Sequence, residues 1–212
     1  MHEQTLLQLI DGYFLSRDFR GTPAFIQDFH AYVLPCLKEM RLTKNMVLCT
    51  QHSIHTAIYF LVSGVAYAPM EHQYRKMLVS PFLWSAPAII GDGKSFYKQK
   101  PARFGVALQG YARVYALERK ELVHIEERYT KVRGYIRLAI KRQQQAFKIW
   151  ESELLAKKVP DRFRALQETS PELLKHVQQK HVAAHLGIYE PYCSKLMRES
   201  DKKTGLLSLP AT

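Results

Sequence analysis

At 212 residues, 47% of them hydrophobic, the chain is long enough to bury a core without disulfide bonds. Its 31 Lys and Arg against 19 Asp and Glu give a net charge of +12, which favours a polyanionic partner such as nucleic acid or, less often, a membrane surface. Cys36, Cys49 and Cys193 lack CxxC spacing, so no disulfide framework, zinc ribbon or iron–sulfur cluster is indicated and a cytoplasmic setting is favoured.

The N-terminal segment lacks the basic region of a signal peptide, and the sequence has no run of roughly 18 apolar residues. We therefore expect no signal peptide, no transmembrane span and no membrane partner. Residues 5–34 are predicted to be helical because their apolar residues recur at intervals of three or four residues. The first apolar face is Leu6, Leu9, Ile10, Tyr13 and Phe14; the second, after Gly21-Thr22-Pro23, is Phe25, Ile26, Phe29, Val33 and Leu34. These helices are expected to cap the next domain.

Between about residues 37 and 117 the pattern shortens to β-rich runs separated by Gly, Pro, Asn or Ser. The runs are 45–50, 57–62, 65–68, 74–79, 104–108 and 112–117. Many short strands predict a sandwich or jelly roll, and Ser63-Gly64 between two apolar runs predicts a tight hairpin turn.

Residues 119–158 lack proline and repeat apolar residues at alternating threes and fours. This spacing predicts a long helix that pairs with a second copy through its leading apolar residues. The predicted dimerisation residues are Leu122, Ile125, Tyr129, Val132 and Ile136. The alternative is a helix that lies on its own domain. Val159-Pro160-Asp161 ends the helix and marks a domain boundary.

Residues 179–198 fit a helix-turn-helix. Ala183 is small enough for the contact between two crossing helices, and Gly187 suits the turn. In the first helix Val182, Ala183 and Leu186 share a face, Ile188 fills the corner, and in the second helix Cys193, Leu196 and Met197 point inward. The outward residues would enter the major groove of DNA. An ordinary helical hairpin with a glycine cap is the alternative.

The order of these elements resembles the Crp/Fnr family of transcription regulators across nearly the whole chain. The residues that carry the resemblance are 61–67 (LVSGVAY), 101–104 (PARF), 114–122 (VYALERKEL) and, most specifically, 177–188 (VQQKHVAAHLGI). The resemblance implies an α+β fold with an N-terminal double-stranded β-helix, or jelly roll, and cap helices in residues 1–118. A long dimerisation helix (119–158) and a winged helix-turn-helix (159–212) follow, with a vestigial wing because the tail after residue 200 is short.

The resemblance also implies a homodimer, double-stranded DNA as partner and a small-molecule effector in the β-roll. The positions that match the family's base-edge and phosphate contacts are Lys180, Glu190, Tyr192, Ser194, Lys195 and Arg198. Glu190 is suited to accept from cytosine N4 and Lys195 to donate to guanine. Tyr189 stands where the family has a Ser or Thr helix cap.

The family's cyclic-nucleotide site matches this chain poorly. The ribose-binding Gly-Glu pair is replaced by Gly91-Asp92, with Arg103 as the phosphate-binding arginine, and residues 93–101 are not expected to form the short helix that presents N–H groups to a phosphate. We therefore expect no cyclic nucleotide and assign no definite cofactor. Arg103 and its neighbouring lysines are then either solvated or bind another small anion, with Asp92 and Arg103 as the residues of the effector pocket.

Two groups that contain histidines have spacings that a metal site could use. His181 and His185 are four apart but lack the Glu of a zinc protease and lie on a helix expected to face phosphates, and Cys49, His52 and His55 span a strand and its loop. Ordinary roles are favoured for both, so no metal is predicted. The chain has no nucleophile elbow, P-loop or dinucleotide fingerprint, which disfavours an enzyme. The rival classes are a ligand-binding β-roll that signals without touching DNA and a cupin-like enzyme.

Overall fold

The computed structural model describes residues 2–15, 21–72 and 77–206. The helices are α1 (His2–Phe14), α2 (Pro23–Val33), α3 (Gly93–Lys98), α4 (Arg119–Arg128), α5 (Val132–Ala156), α6 (Val159–Thr169), α7 (Pro171–His176), α8 (Gln179–Leu186) and α9 (Glu190–Leu206). The strands are β1 (Leu37–Leu42), β2 (Met46–Cys49), β3 (Ala57–Tyr67), β4 (Met70–His72), β5 (Met77–Val79), β6 (Leu83–Ser85), β7 (Ala88–Ile90) and β8 (Val106–Glu118). In this part of the chain no helix has the length and apolar character that crossing a bilayer requires.

The two longest strands, β3 and β8, form the spine of a six-stranded antiparallel sheet. Its order is β1-β8-β3-β6, with β2 also paired to β8 and β7 to β3. β4 and β5 form a separate antiparallel ribbon. The fold is therefore α+β, as predicted, and the strands lie between the cap helices and the C-terminal helices in the chain. Of the predicted strand 74–79, residues 74–76 lie outside the described residues.

The predicted hairpin turn at Ser63-Gly64 is wrong. β3 continues through it, and its pairing with β8 shifts register on both sides of Ser63, as in a β-bulge. Gly64 has φ +100°, and a Cβ there would lie 2.6 Å from the carbonyl oxygen of Tyr111. A glycine between two apolar runs thus marks a close backbone approach instead of a chain reversal.

Three hydrophobic clusters hold the chain together. The first joins α1, α2, α4 and the start of α5 to the sheet, around Phe14, Phe29 and Phe60. The second fills the β-roll and takes Phe147, Trp150 and Leu154 from the second half of α5. The third lies among α6, α8 and α9 and includes Val65 of the sheet. α5 therefore connects the cluster of the cap helices to the cluster inside the β-roll.

The single long helix predicted for residues 119–158 is broken. α4 ends at Arg128, and α5 begins at Val132. Between them Tyr129 turns toward α2, where its hydroxyl donates to Asp28 (2.6 Å) and its ring packs edge-on against Phe29 at 5.0 Å. This tertiary contact outweighs the helical periodicity that continues across the break.

The prediction that the dimerisation residues form an exposed surface for a second copy is also wrong. Each is 9% exposed or less within one chain, and all lie in the cluster with α1, α2 and the sheet: Leu122, Ile125, Tyr129, Val132 and Ile136. Their spacing does mark a buried face, but the chain's own β-roll and cap helices bury it. The alternative of a helix lying on its own domain therefore holds for this face.

The segment expected to hold a vestigial wing begins as helix. α9 continues to Leu206, so within the described residues no strand follows it. Residues 207–212 lie outside the described residues.

Candidate nucleic-acid interface and effector cavity

α8 and α9 form the two helices of the predicted helix-turn-helix. α8 ends at Gly187, whose φ of 64° and ψ of 40° allow the left-handed cap, and the N–H of Ile188 donates to the carbonyl oxygen of Ala183 (3.0 Å). Val182, Ala183, Leu186, Cys193 and Leu196 are buried against one another. Burial also raises the pKa of the Cys193 thiol to about 11, as expected for a cysteine that packs and does not react.

The outer face of α9 is open to solvent. Glu190, Tyr192, Lys195 and Arg198 are exposed, while Ser194 is half-buried with its hydroxyl donating to the carbonyl oxygen of Glu190 (3.2 Å). Lys180 is exposed on α8. The nearest acidic partner of Lys195 is Glu199 at 3.9 Å, a weak exposed contact that leaves the ammonium free to change partners. The structure thus places the predicted DNA-contacting residues on two consecutive helices, Lys180 on α8 and the other five on α9.

α9 begins after Tyr189, which has no polar side chain of the kind that caps a helix, and backbone hydrogen bonds hold its first turn. The N–H groups of Tyr192 and Cys193 both donate to the carbonyl oxygen of Tyr189, and Glu190 supplies a negative charge in the first turn. Tyr189 is 77% exposed. Its ring is therefore available for contact at the tip of the reading helix.

α8 docks on the β-roll through His181. The imidazole stacks on Tyr67 of β3, with 3.6 Å between ring centroids and 22° between planes. Burial, with the neighbouring charge of Lys180 as a second cause, lowers the pKa of His181 to about 4. His181 is thus neutral at physiological pH and acts as an aromatic contact.

The neighbouring histidine extends this contact. His185 Nδ1 lies 2.8 Å from the carbonyl oxygen of Ser80, to which it donates, and burial lowers the pKa of His185 below its ordinary value. Trp150 Nε1 of α5 donates to the carbonyl oxygen of His185 (2.9 Å), and the N–H of Ser80 donates to the carbonyl oxygen of Ala184 (3.1 Å). The expectation that both histidines face phosphates is wrong, because this side of α8 is turned toward the β-roll. We call the contacts of His181, His185, Tyr67, Ser80 and Trp150 the α8 latch.

A cavity of about 660 Å³ opens between the β-roll and the second half of α5. Arg103 lines it and stacks on Phe147, with 4.0 Å from the guanidinium carbon to the ring centroid. Among the described residues the Nε and Nη2 groups of Arg103 have no hydrogen-bond partner, although both are buried. Lys148, Glu151 and Ser152 line the α5 side. An unsatisfied guanidinium in a cavity suits an anion.

Asp92 does not share this cavity. Its Oδ1 accepts from the N–H groups of Lys94 (3.0 Å) and Ser95 (3.2 Å), and its Oδ2 accepts from the N–H of Arg103 (3.0 Å). Asp92 is 1% exposed and caps α3. The expectation that residues 93–101 form no short helix is therefore wrong, and the carboxylate of Asp92, predicted for the effector pocket, is engaged in capping this helix.

Two residues that the sequence patterns left unassigned hold this loop. The Gln143 side chain accepts from the N–H of Gly93 (2.9 Å) and donates to the carbonyl oxygen of Gly91 (2.6 Å). His55 Nδ1 accepts from the N–H of Asp92 (3.1 Å), and burial lowers the pKa of His55, so the acceptor stays neutral. With Asp92, they engage several N–H groups around the start of α3 that a phosphate would otherwise use.

The group of Cys49, His52 and His55 does not converge, and among the described residues no set of three His, Cys, Asp or Glu side chains could hold a metal ion. Burial raises the pKa of Cys49 to about 12, which keeps it a neutral thiol. His55 instead supports the backbone at Asp92.

No protein-family model matches this chain, and no curated protein matches it. Solved structures do. The global regulator CLP of Xanthomonas campestris has 11% identity and a TM-score of 0.63, over 84% of this chain and 93% of its own. A regulator of the Crp/Fnr family from Eubacterium rectale has 9% identity and a TM-score of 0.64, over 86% and 88%.

The catabolite activator protein of Thermus thermophilus has 14% identity and a TM-score of 0.54, over 91% of this chain and 88% of its own. At such identities the similarity concerns the fold. These neighbours are described as a global regulator, a catabolite activator protein and a transcriptional regulator of the Crp/Fnr family. The predicted resemblance is confirmed at this level: the chain has the fold of the Crp/Fnr transcription regulators, with its β-roll in the place of their cyclic-nucleotide-binding domain.

Proposed function

We propose that this chain is a homodimeric transcription regulator of the Crp/Fnr type that reads duplex DNA with α9 in the cytoplasm. The observation that carries the proposal is the division of α9 into two faces. Cys193 and Leu196 are buried, whereas Glu190, Lys195 and Arg198 are exposed. In this proposal residues 1–118 bind the effector, residues 119–158 form the dimer and residues 159–212 bind DNA. The chain is not an enzyme.

The pairing surface that we propose is the outer side of α5. At 100° per residue, Leu138, Gln145, Ile149 and Ser152 lie on one stripe opposite the buried face. Leu138 is 40% exposed and Ile149 is 49% exposed. Apolar side chains at this spacing on a helix already packed on its other side are suited to a second α5. This stripe replaces the five residues that the chain itself buries.

The effector that we propose is a small anion other than a cyclic nucleotide, bound at Arg103. The guanidinium is unsatisfied in its cavity, while Asp92 already serves the backbone. A cyclic nucleotide would find no free carboxylate for its ribose. Thermal unfolding should therefore keep its midpoint when cyclic AMP is added in excess, and a rise in midpoint would contradict this assignment.

The experiment that tests the DNA-reading proposal is enrichment of a random duplex pool on the full chain, followed by binding at moderate salt. The double variant Ser194→Ala, Lys195→Ala should lose preference for the enriched duplex, with a cost of about 1–3 kcal/mol for each base contact removed. Lys44→Ala, an exposed change in the turn between β1 and β2, is the matched control. Failure to enrich any sequence would contradict the proposal.

The alternative function is a ligand-binding β-roll that signals through a partner helix without specific DNA binding. Two observations favour it: the α8 latch ties the reading domain to the β-roll, and residues 159–212 carry a net charge of only +2. This function predicts a dimer that binds its effector but no duplex.

A further inference from the structure

A run of basic residues without an acidic one begins just before α5 and covers most of this helix, whereas α9 mixes both signs. Residues 131–150 contain six basic side chains and no acidic one, half of the net charge of +12. The exposed members include Arg137, Lys141 and Lys148. In the described part of the chain none of these three lies in an ion pair, whereas Arg133 approaches the buried Glu126 at 3.7 Å.

Four of these six basic residues occupy one stripe of the helix, whereas Lys131 precedes α5 and Arg142 lies nearer the side of Leu138. With 100° per residue, Arg133, Arg137, Lys141 and Lys148 fall within 80° of one another. The stripe lies between the face that contacts the β-roll and the face that carries Leu138 and Ile149. Pairing of two copies through Leu138 and Ile149 would therefore leave the basic stripe open to solvent.

The spacing of the stripe suits a repeating anion. A rise of 1.5 Å per residue puts Arg137 and Lys141 roughly 6 Å apart, and Arg137 and Lys148 roughly 16 Å apart along the axis. Gln144, between them on the stripe, is polar, and the exposed Leu155 in line with it comes seven residues after Lys148, so no apolar anchor of the kind that dominates protein interfaces lies among the basic residues. Regular single-sign charge without an anchor fits a phosphodiester backbone better than an acidic protein segment.

The stripe also adjoins the reading domain. Lys148 lies two residues before Trp150, which donates to the carbonyl oxygen of His185 in α8. DNA held by α9 would raise the effective concentration of phosphates near this end of α5.

We propose that the basic stripe of α5 is a second, sequence-independent contact for the backbone of duplex DNA, separate from α9. The identity of the polyanion rests on the proposed function. The stripe supplies affinity and salt dependence, and α9 supplies sequence preference.

The test compares two double variants of the full chain that lower the net charge equally. Arg137→Gln, Lys141→Gln neutralises the stripe, and Lys44→Gln, Lys120→Gln removes two exposed lysines elsewhere. The probe is a long random-sequence duplex, and its affinity is measured over a range of salt concentrations. If both stripe residues contact phosphates, the slope of log affinity against log salt should fall by roughly 1.8 in the stripe variant and stay close to wild type in the control.

Equal slopes in the two variants would overturn the proposal, as would equal competition by poly-glutamate, which would indicate an acidic protein partner. Ser194→Ala, Lys195→Ala separates the two proposals. It should lose sequence preference but keep the stripe-dependent part of the slope. A wild type without sequence preference contradicts the proposed function alone, whereas an unchanged slope in the stripe variant contradicts only the second contact.

Discussion

The loop at residues 91–103 and the helix-turn-helix at 179–198 are the two regions in which ligand-binding residues were expected, and their polar groups differ in how far the chain itself engages them. The side chains of Asp92, Gln143 and His55 accept hydrogen bonds from backbone N–H groups of the loop. Arg103, in contrast, lines a cavity and has two guanidinium nitrogens without a hydrogen-bond partner in the described part of the chain. On α9, Glu190, Lys195 and Arg198 remain exposed. These polar side chains of α9 are thus open to solvent, whereas those that hold the loop are engaged by the chain itself, unlike the Arg103 guanidinium.

The largest expected effect on stability is at Asp92. Asp92→Ala leaves three buried or half-buried N–H groups without an acceptor, so we expect a loss of roughly 3 kcal/mol in the free energy of unfolding, measured by urea denaturation. Asp92→Asn keeps one acceptor oxygen and should lose about half as much. If Asp92 were instead an effector ligand, Asp92→Ala would leave stability unchanged.

In the helix-turn-helix, the α8 latch predicts that the free energy of unfolding depends on pH. The folded pKa of His181, about 4, lies below its ordinary value of 6.5, so the unfolded chain binds more protons between these values. The latch therefore contributes its stability above about pH 6.5 and loses up to about 3 kcal/mol as the pH falls toward 4. His181→Phe keeps a ring against Tyr67 but cannot be protonated.

The measurement is the free energy of unfolding of wild type and His181→Phe at several pH values. Their difference should change across this window and be constant above it. Because His185 and His55 also titrate, only the difference between the two proteins reports on His181. Parallel curves would mean that His181 is solvated in the folded chain.

The smallest expected effect is at Trp150. Trp150→Phe removes the hydrogen bond to the carbonyl oxygen of His185 but keeps most of the apolar contact. The free energy of unfolding should therefore fall by about 1 kcal/mol. Amide exchange in α8 should quicken more than exchange in β3. Uniform exchange changes throughout the chain would show that Trp150 does not act on the latch in particular.

Local patterns predicted the helix-turn-helix because its requirements are local. Ala183 at the crossing, Gly187 at positive φ and Cys193 inward are all fixed within twenty residues of sequence. The residues of α4 and α5 show the limit of such patterns. Their spacing correctly marks Leu122 and Ile136 as buried, but spacing cannot tell whether a second copy or the chain's own β-roll covers them.

The loop was mispredicted for a related reason. Asp92 before Gly93-Lys94-Ser95 is an ordinary helix start, yet the helix has only six residues, too few for an apolar period to show. Its supports come from far along the chain: Gln143 is 50 residues away from Gly93, and His55 is 37 residues away from Asp92. Only tertiary structure brings these groups together.

The most direct test of the central claim is guanine protection on the enriched duplex, read in the major groove. Two α9 helices in one dimer should protect two segments centred about one helical turn, roughly 10 base pairs, apart, and Lys195→Ala should weaken protection in both segments alike. Uniform protection along the duplex, or protection that Lys195→Ala leaves unchanged, would contradict the account.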